Sequence, residues 1–229
     1  MTQFKKILLA ASALLFSTSA LAVPTIEITT SSQTIVVQDG DANDFSHFAG
    51  AVGFVGSVGG IDFNLEFAVT EPFTVQDNIL RLRYIVQNDT DETVTIKFSE
   101  TGFDSLPEFD AFRSVISGQG AEDATVSYDT FVDNSNVLFG EGDQVASMDF
   151  GPFAADAEEY GDDTIFGPVP GLANPFSLTQ IVTVSHGANG GLTKGDAILK
   201  AVVPEPAPLA LLGIALLGLG LTSRRRAKA

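Results

Sequence analysis

An all-β fold, an antiparallel β-sandwich of immunoglobulin-like or jelly-roll-like kind, follows from three observations on this 229-residue chain. Between Val23 and Val203 the hydrophobic period is two, the apolar runs are rich in β-branched residues and Phe, and clusters of Gly, Asn, Asp and Pro interrupt them at turn-like spacing. No long amphipathic helical pattern competes, which leaves sheet packed on sheet as the way to bury the apolar faces.

Nine strands are predicted in chain order: Thr25 to Thr30, Thr34 to Gln38, Ile61 to Val69, Ile79 to Gln87, Thr93 to Ser99, Thr125 to Val132, Val145 to Phe150, Ser177 to Ser185 and Ala197 to Val202. Two hairpins are predicted among them. Ile79 to Gln87 and Thr93 to Ser99 both alternate apolar with polar across the turn-forming run Asn88 to Glu92, so Leu80, Leu82, Tyr84 and Val86 are expected to share a buried face with Val94, Ile96 and Phe98. Ser177 to Ser185 is expected to pair with Ala197 to Val202 across the Gly-rich stretch Gly187 to Gly195.

The charge excludes some partners. The whole chain carries a net −17. Lys5, Lys6, Arg224, Arg225, Arg226 and Lys228 lie in the terminal segments, which leaves six basic residues against 28 acidic ones in residues 23–203, a net of −22. Such a body repels nucleic acid and anionic lipid, so neither is expected as a partner. The absence of cysteine excludes thiol chemistry, Cys-ligated metal and disulfides, so stability must come from core packing.

Acidic clusters recur at Asp39 to Asp44, Asn88 to Glu92 and Asp156 to Asp163, all read as loops. Asp39, Asp41 and Asn43 match the first three oxygen-ligand positions of a calcium loop, but Asp44 stands where an EF-hand needs Gly and Gly50 where it needs the bidentate Glu. That excludes an EF-hand and leaves two readings open: an irregular calcium site on the rim, or solvated turn residues. No other cofactor is expected. His47 and His186 are the only histidines and have no metal-ligand spacing. Gly-x-Ser-x-Gly, Ser-x-x-Lys and phosphate-loop patterns are absent, and the chain has no Trp and three Tyr for sugar stacking. No catalytic residue is assigned, and the chain is not expected to be an enzyme.

The ends carry targeting information. Lys5 and Lys6 precede an apolar run from Ile7 to Phe16, and Ala20 and Ala22 supply the small residues that signal peptidase requires, so residues 1–22 read as a Sec signal peptide cleaved after Ala22. At the other end Val203, Pro204, Glu205 and Pro206 form an extended, helix-incompatible segment. An uncharged run from Ala207 to Ser223 follows, near the lower limit of about 17 residues for a transmembrane helix. Leu209, Leu211, Leu212, Ile214, Leu216, Leu217, Leu219 and Leu221 would lie in the transmembrane span, and Arg224, Arg225 and Arg226 would stay cytoplasmic.

This order of motif, short apolar helix and basic cluster, over Val203 to Lys228, resembles the PEP-CTERM sorting signal of Gram-negative bacteria that make exopolysaccharide. The resemblance implies recognition of Pro204, Glu205 and Pro206 by exosortase, a membrane-embedded transpeptidase-like enzyme, with this chain as its substrate. The segments Gly50 to Gly60, Phe98 to Phe103 and Phe176 to Val203 resemble the extracellular β-sandwich domains that precede such signals. Three regions result: a signal peptide at 1–22, a β-sandwich at 23–202 and a sorting signal at 203–229. The expected function is a non-catalytic exported surface or matrix protein. It would be tethered first in the inner membrane, then delivered to the cell surface or extracellular matrix in association with exopolysaccharide. The alternative is a secreted carbohydrate-binding module or polysaccharide hydrolase.

Overall fold

The structure, a computed structural model, describes residues 23–70, 79–103, 111–166, 169, 171–172 and 174–202. The signal-peptide and sorting-signal segments lie outside these residues. Among the described residues no helix is long and apolar enough to cross a membrane.

Twelve strands are formed by the described residues: β1 (Thr25–Thr29), β2 (Thr34–Gln38), β3 (Ala51–Val58), β4 (Ile61–Thr70), β5 (Ile79–Asn88), β6 (Thr93–Phe103), β7 (Ala111–Gly120), β8 (Thr125–Asp133), β9 (Asp143–Phe150), β10 (Glu158–Phe166), β11 (Phe176–Ser185) and β12 (Gly191–Val202). They make two six-stranded antiparallel sheets. Sheet I has the order β2-β1-β6-β11-β8-β9 and sheet II the order β10-β7-β12-β5-β4-β3. From β5 onward β5-β12-β7-β10 faces β6-β11-β8-β9, the winding of an eight-stranded jelly roll. β1 and β2 extend sheet I, and β3 and β4 extend sheet II. The expected sandwich is therefore present, in its jelly-roll form.

The two predicted hairpins are not formed. β5 hydrogen-bonds β12 and β4 in sheet II, whereas β6 hydrogen-bonds β1 and β11 in sheet I. β11 and β12 are likewise in opposite sheets. Leu80, Leu82, Tyr84 and Val86 are buried as expected, but Val94, Ile96 and Phe98 meet them across the core from the other sheet. Alternation reports which side of a strand is apolar, not which strand supplies its ladder partners. A short connection such as residues 89–92 serves equally to turn within a sheet or to bridge the roughly 10 Å between sheets. The two crossing loops are tied together where the His186 N–H donates to the Glu92 carbonyl (3.0 Å).

Three strands escaped the sequence pattern, each for its own reason. β3 is an edge strand interrupted by Gly53 and Gly56. β7 points Phe112, Ser114, Ile116 and Gly118 inward, so its buried face is not apolar throughout. β10 begins inside the supposed acidic loop Asp156 to Asp163; as an edge strand it exposes its carboxylates, which discourage edge-to-edge pairing with another chain.

The core lies between the sheets. Phe98, Phe112, Phe176, Tyr84 and Tyr128 are fully buried there, with Phe103 stacked on Phe176 at 5.8 Å and Phe112 edge-on to it at 6.3 Å. A polar pair crosses the gap: Ser114 Oγ of β7 lies 2.8 Å from Thr130 Oγ1 of β8. Within sheet I the Tyr128 hydroxyl donates to Gln180 Oε1 (2.7 Å).

Candidate functional site

The residues that alternate with the core positions of sheet II form its outer face, and the strand register arranges them in rows. One row reads Asn64, Ile85, Lys194, Gln119, Glu159 across β4, β5, β12, β7 and β10. The adjacent outward row reads Arg83, Asp196, Ser117. Between the two rows runs an inward row, Tyr84, Gly195, Gly118, Tyr160. Together these residues line an open groove of about 570 Å³ running across the strands.

The floor of the groove depends on the two glycines. Tyr84 and Tyr160 reach towards each other beneath the sheet, over Gly195 and Gly118, and their hydroxyls meet. Tyr160 donates onward to the Lys194 carbonyl (3.2 Å), so Tyr84 donates to Tyr160. A Cβ on Gly118 would lie 2.2 Å from the Lys194 carbonyl oxygen and 2.4 Å from the Tyr160 hydroxyl; one on Gly195 would lie 2.6 Å from each tyrosine hydroxyl. Burial pushes the Tyr160 phenol up to about 12, and Tyr84 is raised well above its ordinary value by burial and by Tyr160, so both stay protonated. Tyr160 is packed from below by Phe153 (5.5 Å) and Phe150 (5.2 Å).

Charge on this face is unlike that of the rest of the body. Of the six basic residues in 23–203, five (Arg81, Arg83, Arg113, Lys194 and Lys200) stand on the outer face of sheet II, and only Lys97 stands on sheet I. Arg81 grips Asp196 through both oxygens, Nε to Oδ1 at 2.9 Å and Nη2 to Oδ2, while Arg83 reaches the same carboxylate only through Nε at 3.3 Å. Burial pushes the Asp196 carboxyl up, but the hydrogen bonds and charges of Arg81 and Arg83 outweigh it and hold the group below its ordinary value. Arg113 is bidentate to Asp163, with Nε to Oδ1 at 2.7 Å, and that bond, with the charges of Arg113 and Lys200, holds Asp163 low. Among the described residues the Lys194 ammonium, the Ser117 hydroxyl and the Gln119 amide make no side-chain hydrogen bond.

The calcium candidates sit in the turn between β2 and β3. Asp39 Oδ2 accepts from the Gly50 N–H (2.6 Å) and Asp41 Oδ2 from the Gln38 N–H (3.0 Å), and Asn43 is exposed. Asp44 accepts from the N–H groups of Gly40, Ser46 and Gly53. These carboxylates cap the backbone of a turn. Among the described residues no group of three His, Cys, Asp or Glu is placed to hold a metal. His47 is exposed, whereas His186 is buried with Nε2 2.9 Å from Thr193 Oγ1, and burial lowers its pKa. The sorting-motif, transmembrane, basic-cluster and signal-cleavage residues lie outside the described residues.

The sequence assigned no site role to any groove residue: Tyr84 was expected only in the core, and Glu159 and Tyr160 fell within an acidic run read as a loop. Arg81 and Asp196, its ion-pair partner, are 115 positions apart, and no local pattern links them. The only trace is the polar half of the alternation around Arg81 and Arg83.

No protein-family model and no curated protein matches the chain. Among solved structures it is similar to the enzymatically active domain of tailspike protein 4 of bacteriophage CBA120, at 12% identity and a TM-score of 0.36 over 62% of this chain and 18% of that one. It is similar to TmCBM61, solved with β-1,4-galactotriose, at 9% identity and a TM-score of 0.35 over 62% of this chain and 88% of that one. A family 11 carbohydrate-binding module from Clostridium thermocellum, solved with a β-1,3-1,4-mixed-linked tetrasaccharide, gives 13% identity and a TM-score of 0.33 over 80% of this chain and 98% of that one. At these identities and scores nothing about ligand or activity transfers to this chain.

Proposed function

We propose that the chain is an exported, non-catalytic bacterial surface protein that associates with extracellular polysaccharide through the groove on sheet II. The observation that supports this is the groove itself: a shallow channel across five strands, long enough for several sugar units and lined by Arg83, Ser117, Gln119, Glu159 and Lys194 with unused hydrogen-bonding capacity. Planar amides, guanidinium and carboxylate groups at regular strand spacing suit the vicinal hydroxyls of a sugar chain. The half-exposed Ile85 offers an aliphatic contact for a ring face.

A binding role is favoured over hydrolysis. The groove's two carboxylates are Glu159 and Asp196, and Asp196 is engaged by Arg81 through both oxygens and by Arg83, so the groove does not present two free carboxylates to a glycosidic bond. The targeting patterns of the terminal segments support the delivery route: export by the Sec pathway with cleavage after Ala22, transient tethering by the apolar segment 207–223, and exosortase processing at Pro204, Glu205 and Pro206.

Two measurements test this reading. In affinity electrophoresis against a panel of neutral and acidic polysaccharides, at least one polymer should retard the protein without being shortened. Retention of none, or release of reducing ends, overturns the reading. Mass spectrometry of the mature protein from cells with and without exosortase should show loss of residues from the Pro-Glu-Pro motif onward only where the enzyme is present. An intact Arg-tipped tail in both strains overturns the sorting route.

A further inference from the structure

We propose that the ligand of the groove is an acidic polysaccharide, its carboxylates held by Arg83 and Lys194. The inference rests on the glycan-binding reading above and names its substrate class.

Three observations lead to it. First, the chain spends nearly all its body cations on one face: five of six lie on sheet II in a body of net −22. The opposite arrangement, cations spread to neutralise the acidic loops, would be expected if charge served solubility alone.

Second, Arg83 and Lys194 are the cations that line the groove, and both have hydrogen-bonding capacity left. Asp196 is already engaged through both oxygens by Arg81, so the long Nε contact from Arg83 leaves that guanidinium's two terminal amino groups without a hydrogen-bond partner among the described residues. Arg83 stands opposite Asp196, and Lys194 is two residues along β12, a diagonal separation of roughly 7–8 Å between side-chain origins. That places a bidentate fork and a point charge on neighbouring sites of one channel, the combination that grips carboxylates.

Third, among the described residues the groove has no aromatic platform. Tyr84 and Tyr160 are the aromatic residues along it, and both rings lie on the core side with their hydroxyls bonded to each other. Neutral sugars are commonly held by stacking on exposed rings, and here ionic hydrogen bonds must supply that part of the affinity. The acidic loops do not forbid an anionic polymer, because at physiological salt charges beyond about 8 Å are largely screened while contacts in the groove are not. They confine it to this face.

The test uses the full chain, polygalacturonate, and the same polymer after carboxyl reduction, all in EDTA. Wild type should retain polygalacturonate and bind the reduced polymer about tenfold or more weakly. Arg83→Gln with Lys194→Gln should lower retention of the acidic polymer about tenfold, while Lys97→Gln on sheet I leaves it within about twofold. Asp196→Asn, which removes the negative charge that Arg83 contacts in the groove, should tighten it a few-fold, with circular dichroism and melting temperature confirming that each variant is folded. Equal binding of the two polymers overturns the acidic class but leaves the glycan reading standing. Binding of neither, nor of any neutral polymer in the panel, overturns both. Retention that appears only when calcium replaces EDTA assigns the contact to the acidic loops and overturns the role of Arg83 and Lys194.

Discussion

The two outer faces of the sandwich are built on the same alternation and carry opposite chemistry. On sheet II every second residue contributes to a charged channel over a glycine floor. On sheet I two outward rows are hydroxyls: Thr34, Thr29, Thr95, Thr183 and Ser127 form one across five strands, and Thr93, Ser185 and Thr125 the next. Many of these bond to one another, as Thr29 to Thr34 (3.1 Å) and Thr93 to Ser185 (2.8 Å). The far half of sheet I is roofed by the β8–β9 connection, where the Phe139 N–H donates to Ser99 Oγ, Ser177 donates to the Val137 carbonyl and Lys97 meets Glu141. One face thus pairs many of its hydroxyls internally, while on the other Lys194, Ser117 and Gln119 make no side-chain hydrogen bond among the described residues. A face is a binding surface by virtue of unspent capacity, not of polarity.

That contrast can be broken most severely from below. Gly118→Ala should cost about 2–4 kcal/mol, because the new methyl group must displace the Lys194 carbonyl or the Tyr160 ring, and backbone does not yield cheaply. Urea unfolding measures it, and an unchanged midpoint would show that the glycine floor is not required. On the roofed face, Ser99→Ala removes a buried hydroxyl that donates to the Leu178 carbonyl and accepts from Phe139. The loss should be about 1–3 kcal/mol, with faster amide exchange at Phe139 by hydrogen-exchange mass spectrometry and no change in polysaccharide retention.

A pH titration sharpens the comparison at the point where the two sheets are bridged. His186 follows β11 of sheet I and bonds to Thr193 on β12 of sheet II. Its folded pKa lies below the ordinary 6.5, so the unfolded chain takes up the proton first. The stability it permits is complete above 6.5 and is lost progressively as the pH falls from there through the lower, folded value. The fall in melting temperature from pH 7.5 to pH 5 should be smaller in His186→Gln than in wild type; equal falls would show that His186 is not the group responsible. The smallest effect belongs to the exposed Lys97–Glu141 pair, where Lys97→Gln should change stability by less than about 0.5 kcal/mol in thermal melts.

Legibility in the sequence followed locality. β1, β2 and β5 announced themselves because their inward positions are apolar, as with Leu80, Leu82, Tyr84 and Val86, with buried Asn88 at the end of β5 the departure. β7 did not, because its inward Ser114 and Gly118 are there to meet Thr130 and Tyr160, partners supplied by other strands. The acidic run at Asp156 to Asp163 was legible as solvent-exposed but not as strand, since an edge tolerates charge and needs only one ladder. The turn at Asp39 to Asp44 was recognisable from its Asp and Gly content, though its carboxylates serve backbone N–H groups.

The sequence by itself determined that this chain forms a cysteine-free, strongly acidic β-sandwich, because period-two alternation and net charge are sums over local residues. Which strands pair, and therefore that Arg81, Arg83, Arg113, Lys194 and Lys200 share one face, was decided only by the tertiary structure. Jelly-roll winding joins strands more than a hundred residues apart, and a hydrogen-bonded ladder between backbones leaves no mark on either segment that would identify its partner.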